Sequence, residues 1–385
     1  MKRSMWIMLA WCAAALAVIG GIAAVISSQL GEAEPQGSRI DIMAALSGSD
    51  TQGYQIADVP IEFSFPEDHG AHPGFRNEWW YFTGNLYDAD GRRFGYQLTF
   101  FRIALSPEEE DRQSGWATNQ VYMAHFAISD TANEELYCFD LLNRAALGLA
   151  GFQDEGFVLN VEDWYMTGTG EGDFPWQLYA TKDDITLSIE VNPLKDIVLQ
   201  GDSGLSRKSL DEGNASYYYS ITRLATEGYI EIDGQRFDVS GNSWLDREWS
   251  TSALSQEQGG WDWFAWQLDD GIEIVYFQLR YKDGSTYPYN EGLIVAADGS
   301  VARLGTDDIP LEVIETWSSP LEDEYPVAWR AQVTPLDKTL IIRAVFNDQE
   351  LDLNTRYWEG AVDIYDEASG EAIGVGYMEM TGYSE

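Results

Sequence analysis

Trp79-Trp80-Tyr81-Phe82-Thr83-Gly84-Asn85-Leu86 leads into a turn at Asp88-Ala89-Asp90-Gly91, and the chain resumes as Phe94-Gly95-Tyr96-Gln97-Leu98-Thr99-Phe100-Phe101-Arg102-Ile103. Two strand-sized runs rich in aromatic residues, joined across an Asp-Gly turn, spell a β-hairpin. The same texture continues to the end of the chain, punctuated by Asp233-Gly234, Asp270-Gly271, Asp283-Gly284 and Asp298-Gly299. Further strands are expected at 121–129, 176–181, 186–191, 217–225, 229–232, 263–268, 272–281, 293–296, 329–333 and 340–346. No helix-period run longer than roughly 12 residues follows residue 60. Many short antiparallel strands with regular turns make the body all-β, a barrel or sandwich rather than a doubly wound sheet.

The opening hairpin has an echo. Trp261-Asp262-Trp263-Phe264 is followed by Leu268, a turn at Asp269-Asp270-Gly271, and then Phe277-Gln278-Leu279-Arg280. The Trp-to-Leu spacing matches that from Trp79 to Leu86, and the length difference falls in the turn. The expectation is two related β-barrel halves.

Upstream, Lys2-Arg3 precedes an uncharged apolar run over residues 5–26, and the first acidic residue is Glu32. A basic patch before a long apolar run is an export signal, here long enough to cross ~30 Å of hydrocarbon as a helix. The charge asymmetry puts the N-terminus inside and the body outside the cytoplasm. Whether residues 1–28 are a signal peptide or a membrane anchor stays open. Residues 29–57 form a polar linker with a short helical candidate at 40–46. Cys12 comes too early in the apolar run for a lipid attachment site. Cys138 is then the one cysteine of the body, which leaves no intrachain disulfide and no cysteine cluster for a metal.

The charge is lopsided, with 23 Lys and Arg against 64 Asp and Glu, a net of −41. That argues against nucleic acid and anionic lipid surfaces as partners. The basic residues are mostly arginine. An acidic, lysine-poor surface suits a high-salt medium that screens self-repulsion, so a halophilic or salt-tolerant source is expected.

There is no G-x-S-x-G, phosphate loop, H-E-x-x-H or dinucleotide fingerprint, and no cofactor is implied. Three places could carry chemistry. Asp68-His69-Gly70-Ala71-His72-Pro73 brings two imidazoles and a carboxylate into a Gly- and Pro-containing loop, where His125 could complete a zinc site. The plainer reading, which we adopt, is histidines hydrogen-bonded to neighbouring strands, with no metal. Trp244-Leu245-Asp246-Arg247-Glu248-Trp249, followed by Gly260-Trp261-Asp262-Trp263-Phe264, sets carboxylates among indoles, where burial would raise an acid's pKa. On a strand, Asp246 and Glu248 would face one way and Arg247 and Trp249 the other. Tyr357-Trp358-Glu359-Gly360 pairs stacking surface with a carboxylate. A barrel interior lined by Trp and Tyr would suit an elongated apolar ligand.

The run from Asp68 through Arg76-Asn77-Glu78-Trp79-Trp80 to Leu86 closely resembles the opening motif of the AttH-like "predicted secreted hydrolase" proteins, relatives of the carotenoid 1,2-hydratase (hydroxyneurosporene synthase) family. Gly95 to Arg102, Ala124-His125-Phe126-Ala127-Ile128-Ser129-Asp130, Tyr217-Tyr218-Tyr219-Ser220, Trp244 to Trp249, Gly260 to Phe264 and Tyr357-Trp358-Glu359-Gly360-Ala361 match in order. The likeness covers residues 50–385. It implies two consecutive lipocalin-like antiparallel β-barrel domains, placed at 58–245 and 246–385. It also implies an extracytoplasmic protein with a small hydrophobic, lipid- or terpenoid-like ligand.

The hydratase branch carries a Tyr-His-Asp-His-Asn-type segment where this chain has Trp244-Leu245-Asp246-Arg247-Glu248, so the acid survives and the histidines do not. Two readings follow. One is a binding module whose pocket is shaped by Trp79, Trp80, Tyr218, Trp249, Trp263 and Trp358. The other is a hydratase or hydrolase with Asp246 as proton donor, assisted by Glu248, Asp262 or His72. Structural or metal-site parts fall to His69, His125, Arg76, Glu78 and Arg247. The binding reading comes first because no nucleophile–base pair is evident. A third reading is an accessory to an inner-membrane transporter.

Overall fold

The structure is a computed structural model that describes residues 51–383 apart from 109–112, 170–172, 212, 253, 256 and 289. The expected signal or anchor, most of the linker and the helical candidate at 40–46 lie outside the described residues. Among those described, secondary structure is β-strand with three short 3-10 turns, and no helix is long and apolar enough to cross a membrane.

The first strand of the opening hairpin, Asn77–Asp88, pairs antiparallel with Arg93–Ala104 on one side and with Gln235–Ser250 on the other. Beyond Arg93–Ala104 come Gln120–Asp130 and Glu135–Arg144; beyond Gln235–Ser250 come Ala215–Ile232, Ile185–Pro193, Asp173–Lys182, Trp164–Thr169, Val158–Val161 and Ala150–Gln153. A meander whose first and last long strands pair curls into a barrel, leaving a seam between Glu135–Arg144 and Ala150–Gln153.

The second sheet repeats the plan. Gln258–Leu268 is clasped between Glu273–Tyr281 and Ala372–Met380. From there the sheet runs to Val301–Gly305 in one direction and Leu311–Ser318 in the other. The echo between Trp79 and Trp261 is therefore topological, since each begins the strand around which its sheet closes. Closure pairs the backbone groups that an open edge would expose.

Side-chain alternation sorts each strand into two faces. Trp80, Phe82, Tyr96, Leu98, Phe100, Trp164 and Trp176 fill the first barrel. Phe264, Trp266, Tyr325, Trp329 and Trp358 fill the second. At ~1.5–3 kcal/mol for each large side chain fully buried, these interiors dominate the stability of the fold. Trp80 and Trp358, expected to shape a pocket, stand in these interiors and not in the lining of the cavity described below.

Two sequence expectations change in detail. The strands expected at 217–225 and 229–232 are one strand, Ala215–Ile232, whose pairing shifts register between Ile221 and Leu224. Gly228 carries it past the expected break: its φ is +154°, and a Cβ there would lie 2.1 Å from the Ser188 carbonyl oxygen. The domain boundary expected at 245/246 falls inside Gln235–Ser250, the last strand of the first sheet, and the second sheet's first strand begins at Gln258. The stretch 244–249 is one uninterrupted strand segment because both its faces are buried.

A candidate acid–base site between the barrels

The outward faces of the two barrels meet. Tyr81, Tyr218 and Trp244 from the first sheet and Trp263, Ala265, Val275, Phe277, Leu293, Ala361 and Tyr377 from the second form one apolar cluster. Within it lies a cavity of ≈ 110 Å³ lined by residues of both sheets, among them Trp79, Tyr81, Phe101, Tyr218, Trp261, Trp263, Phe277 and Tyr357. Four carboxylates share this lining: Asp246, Glu248, Glu359 and Glu379. Alternation explains the set. Residues 244, 246 and 248 point away from the first barrel's core, as 357, 359 and 361 point away from the second's.

Asp246 is buried and accepts three hydrogen bonds, from the Tyr218 hydroxyl at 2.5 Å, the Ser220 hydroxyl at 2.5 Å and the Trp244 indole N–H at 2.7 Å. Burial pushes its pKa up to about 6 against those three donors, with the Glu248 charge adding to the rise. Glu248 makes an ion pair with Lys208 at 2.9 Å. The Lys208 ammonium also sits 4.3 Å from the centre of the Phe277 ring, a cation–π contact that holds it at the cavity wall.

On the opposite wall Glu359 accepts a hydrogen bond from the Tyr81 hydroxyl at 2.5 Å, while its Oε2 has no hydrogen-bond partner. Burial, then the neighbouring Glu379, holds its carboxyl well above the usual range. Burial also pushes Glu379 up to about 8, although the Trp261 N–H bonds it at 3.2 Å; the charges of Asp246 and Glu248 add to the rise. His125 lines the same wall, its Nδ1 paired with the Tyr357 hydroxyl at 2.8 Å and its Nε2 unpartnered. Burial lowers its pKa to about 3, so the imidazole is neutral.

The structure thus brings together Asp246, Glu248, Tyr218, Trp79, Trp263 and His125. It sends the other candidates elsewhere. Asp262 faces the second barrel's interior, bonded by Gln278 at 2.8 Å, Tyr383 at 2.9 Å and Arg280 at 3.1 Å. Glu78, Arg102 and Arg247 form a buried ion-pair cluster at one end of the first barrel, where Arg247 lies 3.8 Å over the Trp80 ring. Burial pushes the Glu78 carboxyl up, but Arg102 and then Arg247 outweigh it and hold it well below the usual range. His72 joins this cluster through Glu78 and Asp68 and stacks on Trp249 at 3.8 Å. These contacts take His72, Trp249, Glu78 and Arg247 out of the cavity. Arg76 bonds Thr251 through its backbone N–H, and His69 is bonded to Tyr219 at 2.6 Å inside an aromatic shell. The three histidines keep separate partners, and no group of three His, Cys, Asp or Glu among the described residues is arranged to hold a metal.

Sequence reading passed over Lys208, Tyr81 and Glu379 and left Glu359 without a role. A signal existed for the glutamates: Glu379 stands between Met378 and Met380, and Glu359 follows Trp358, each an acid on a strand whose alternate residues are core.

The same architecture occurs in solved structures. An AttH protein of Nitrosomonas europaea is 35% identical, with a TM-score of 0.76 over 86% of this chain and 99% of that one. Kievitone hydratase of Nectria haematococca is 14% identical, with a TM-score of 0.63 over 86% of this chain and 97% of that one. CghA, solved with Sch210972, is 13% identical, with a TM-score of 0.52 over 88% of this chain and 98% of that one. The last two likenesses establish a shared lipocalin-like fold. No curated protein sequence matches. Residues 57–383 match the AttH-like family from end to end of the two barrels, and the chain belongs to that family.

Proposed function

We propose that this protein binds an apolar, unsaturated molecule of lipid or terpenoid type between its barrels and adds or removes water at it by acid–base catalysis. The observation that carries the reading is Asp246: a buried carboxyl in an aromatic-lined cavity, titrating near pH 6 beside three further carboxyl groups. A group poised near working pH exchanges protons most effectively. The faces of Tyr81 and Trp263, in T-shaped contact at 5.0 Å, would stabilise a cation formed on the substrate. An apolar cavity of about 150 Å³ accepts a benzene ring. A volume of ≈ 110 Å³ therefore suits one prenyl unit or part of a ring system, with the rest of a longer molecule reaching out past the partly exposed Trp79, Trp261 and Thr355. The likeness to an enzyme named as a hydratase supports the same reaction class. Export, read from residues 1–28, is part of this proposal, so the substrate would be met outside the cytoplasm.

The test is untargeted. The full chain is incubated with a lipid extract in ¹⁸O-labelled water, and products are sought that have gained one labelled water. Wild type should make them, and Asp246→Asn should not while still co-purifying with the same apolar molecule in native mass spectrometry. A bound molecule with no labelled product from either protein would mean a carrier instead.

A further inference from the structure

We propose that Glu359 and Glu379 share a single proton and are the acid of the cavity, with Asp246 as its base. The inference rests on the acid–base reading above and gives each carboxyl its direction. Glu359 on Arg356–Asp366 stands directly opposite Glu379 on Ala372–Met380 in the antiparallel register, so both side chains leave the sheet on the same face. That face is the cavity wall. Lys208 is the one cation in the lining, and it is committed to Glu248. Among the described residues no ion pair reaches Glu359 or Glu379. Two buried carboxylates side by side without a cation do not both ionise, and a proton held between them is the low-energy state. Besides Lys208, the other titratable groups facing the pair are Tyr81, Tyr218, Tyr357, Tyr377, His125, Asp246 and Glu248. None of them supplies a positive charge, since the tyrosines and His125 are neutral and the two acids are negative when ionised.

Asp246 is built the other way. An indole N–H only donates, and the Trp244 N–H and the Ser220 hydroxyl converge on one carboxylate oxygen while Tyr218 takes the second. Three donors on two oxygens satisfy a carboxylate; a protonated carboxyl would forfeit one of them. The acid and the base therefore sit on different barrels across one cavity. Tyr81 connects the walls, because it pairs in register with Asp246 and its hydroxyl bonds Glu359.

In the hydration direction the proton leaves the glutamate pair for one alkene carbon. The π electrons form the new C–H bond and leave a cation at the other carbon, over the Trp263 and Tyr81 faces. A water oxygen attacks that carbon, and the water's surplus proton goes to Asp246. Transfer of that proton back to the glutamate pair resets the site, so one water is consumed and no net proton. This reverses the role that the sequence gives Asp246.

Infrared spectroscopy of the full chain tests the assignment without a substrate. At pH 7.5 wild type should show a protonated-carboxyl C=O band that is absent from Glu359→Gln/Glu379→Gln and unchanged in Asp246→Asn. Asp246→Asn should instead lose intensity in the carboxylate region. In each single glutamine variant the remaining glutamate should ionise at lower pH than the pair does. Glutamine copies the shape of the protonated acid, and near-UV circular dichroism confirms the fold of each variant. A protonated band that vanishes in Asp246→Asn and survives in the double variant would overturn the proposal, as would no band difference between wild type and the double variant. The labelled-water experiment fails or succeeds separately, so loss of the shared proton and loss of the hydration reading are told apart.

Discussion

Asp246→Asn should stabilise this protein while it abolishes turnover. Burial raises the Asp246 pKa from 3.8 to about 6, so the folded state holds a proton that the unfolded chain has released between those values. Stability then falls with rising pH across that window, by ~1.4 kcal/mol per pH unit for one proton, and stays level above it. The accumulated cost is ~3 kcal/mol at pH 7 and above. Asparagine carries no such cost. Its amide oxygen still accepts from Ser220 and Trp244, and its amide nitrogen meets the Tyr218 hydroxyl, which must turn to accept. Rearranging that hydrogen bond forfeits ~1 kcal/mol, leaving a net gain of ~2 kcal/mol above pH 7. Urea unfolding followed by tryptophan fluorescence at pH 4.5 and 7.5, at constant high salt, measures the gap between variant and wild type. The gap should move toward the variant by ~2 kcal/mol or more between the two pH values. A variant less stable than wild type at pH 7.5, with the same gap at pH 4.5, would refute the claim that Asp246 is a strained buried acid.

Other outcomes follow from the same contacts. Glu78→Ala leaves Arg102 and Arg247 buried without their carboxylate, and should cost ~3–5 kcal/mol in urea unfolding. Because the folded pKa of Glu78 is depressed, its stabilisation is present above the ordinary carboxylate pKa of 4.5 and drains away as pH falls toward the lower folded value. Acid titration of wild type should show that loss, and Glu78→Ala should lack it. Thr355→Trp, at the partly exposed edge of the cavity, should block co-purification of an apolar molecule in native mass spectrometry with little change in melting temperature. The net charge of −41 predicts a melting temperature that climbs steeply with added potassium chloride; a flat salt profile would remove the halophilic reading.

The strands legible in the sequence were those with large aromatics at alternate positions, such as Asn77–Asp88 and Arg93–Ala104. Those at the seams were not, and neither were Arg356–Asp366 and Ala372–Met380 inside the second sheet. Leu311–Ser318 is exposed along most of its length, and Ala150–Gln153 and Val158–Val161 are four-residue pieces too short for a period of two to stand out in the sequence. The orientation of Asp246 and Glu248 away from Arg247 and Trp249 was also legible, because strand alternation is local. The separation of Asp262 from Asp246 was not. Both are acids beside tryptophans, yet one faces a barrel interior and the other faces the neighbouring barrel. That depends on which face of each sheet curls inward.

From the sequence alone come the all-β body, its two related halves, the absence of familiar catalytic motifs and the acidic surface. All of these follow from composition, period and turn chemistry, which act over a few residues. Tertiary structure decided that both barrels are filled and that the cavity lies between them. It also joined Asp246 and Glu248 to Glu359 and Glu379, and tied Arg247 to Glu78 instead. Those outcomes turn on sheet closure and on the meeting of two outer faces, which bring residues more than a hundred positions apart into contact. The pKa of a carboxyl there is set by its neighbours across that gap, and no local pattern records them.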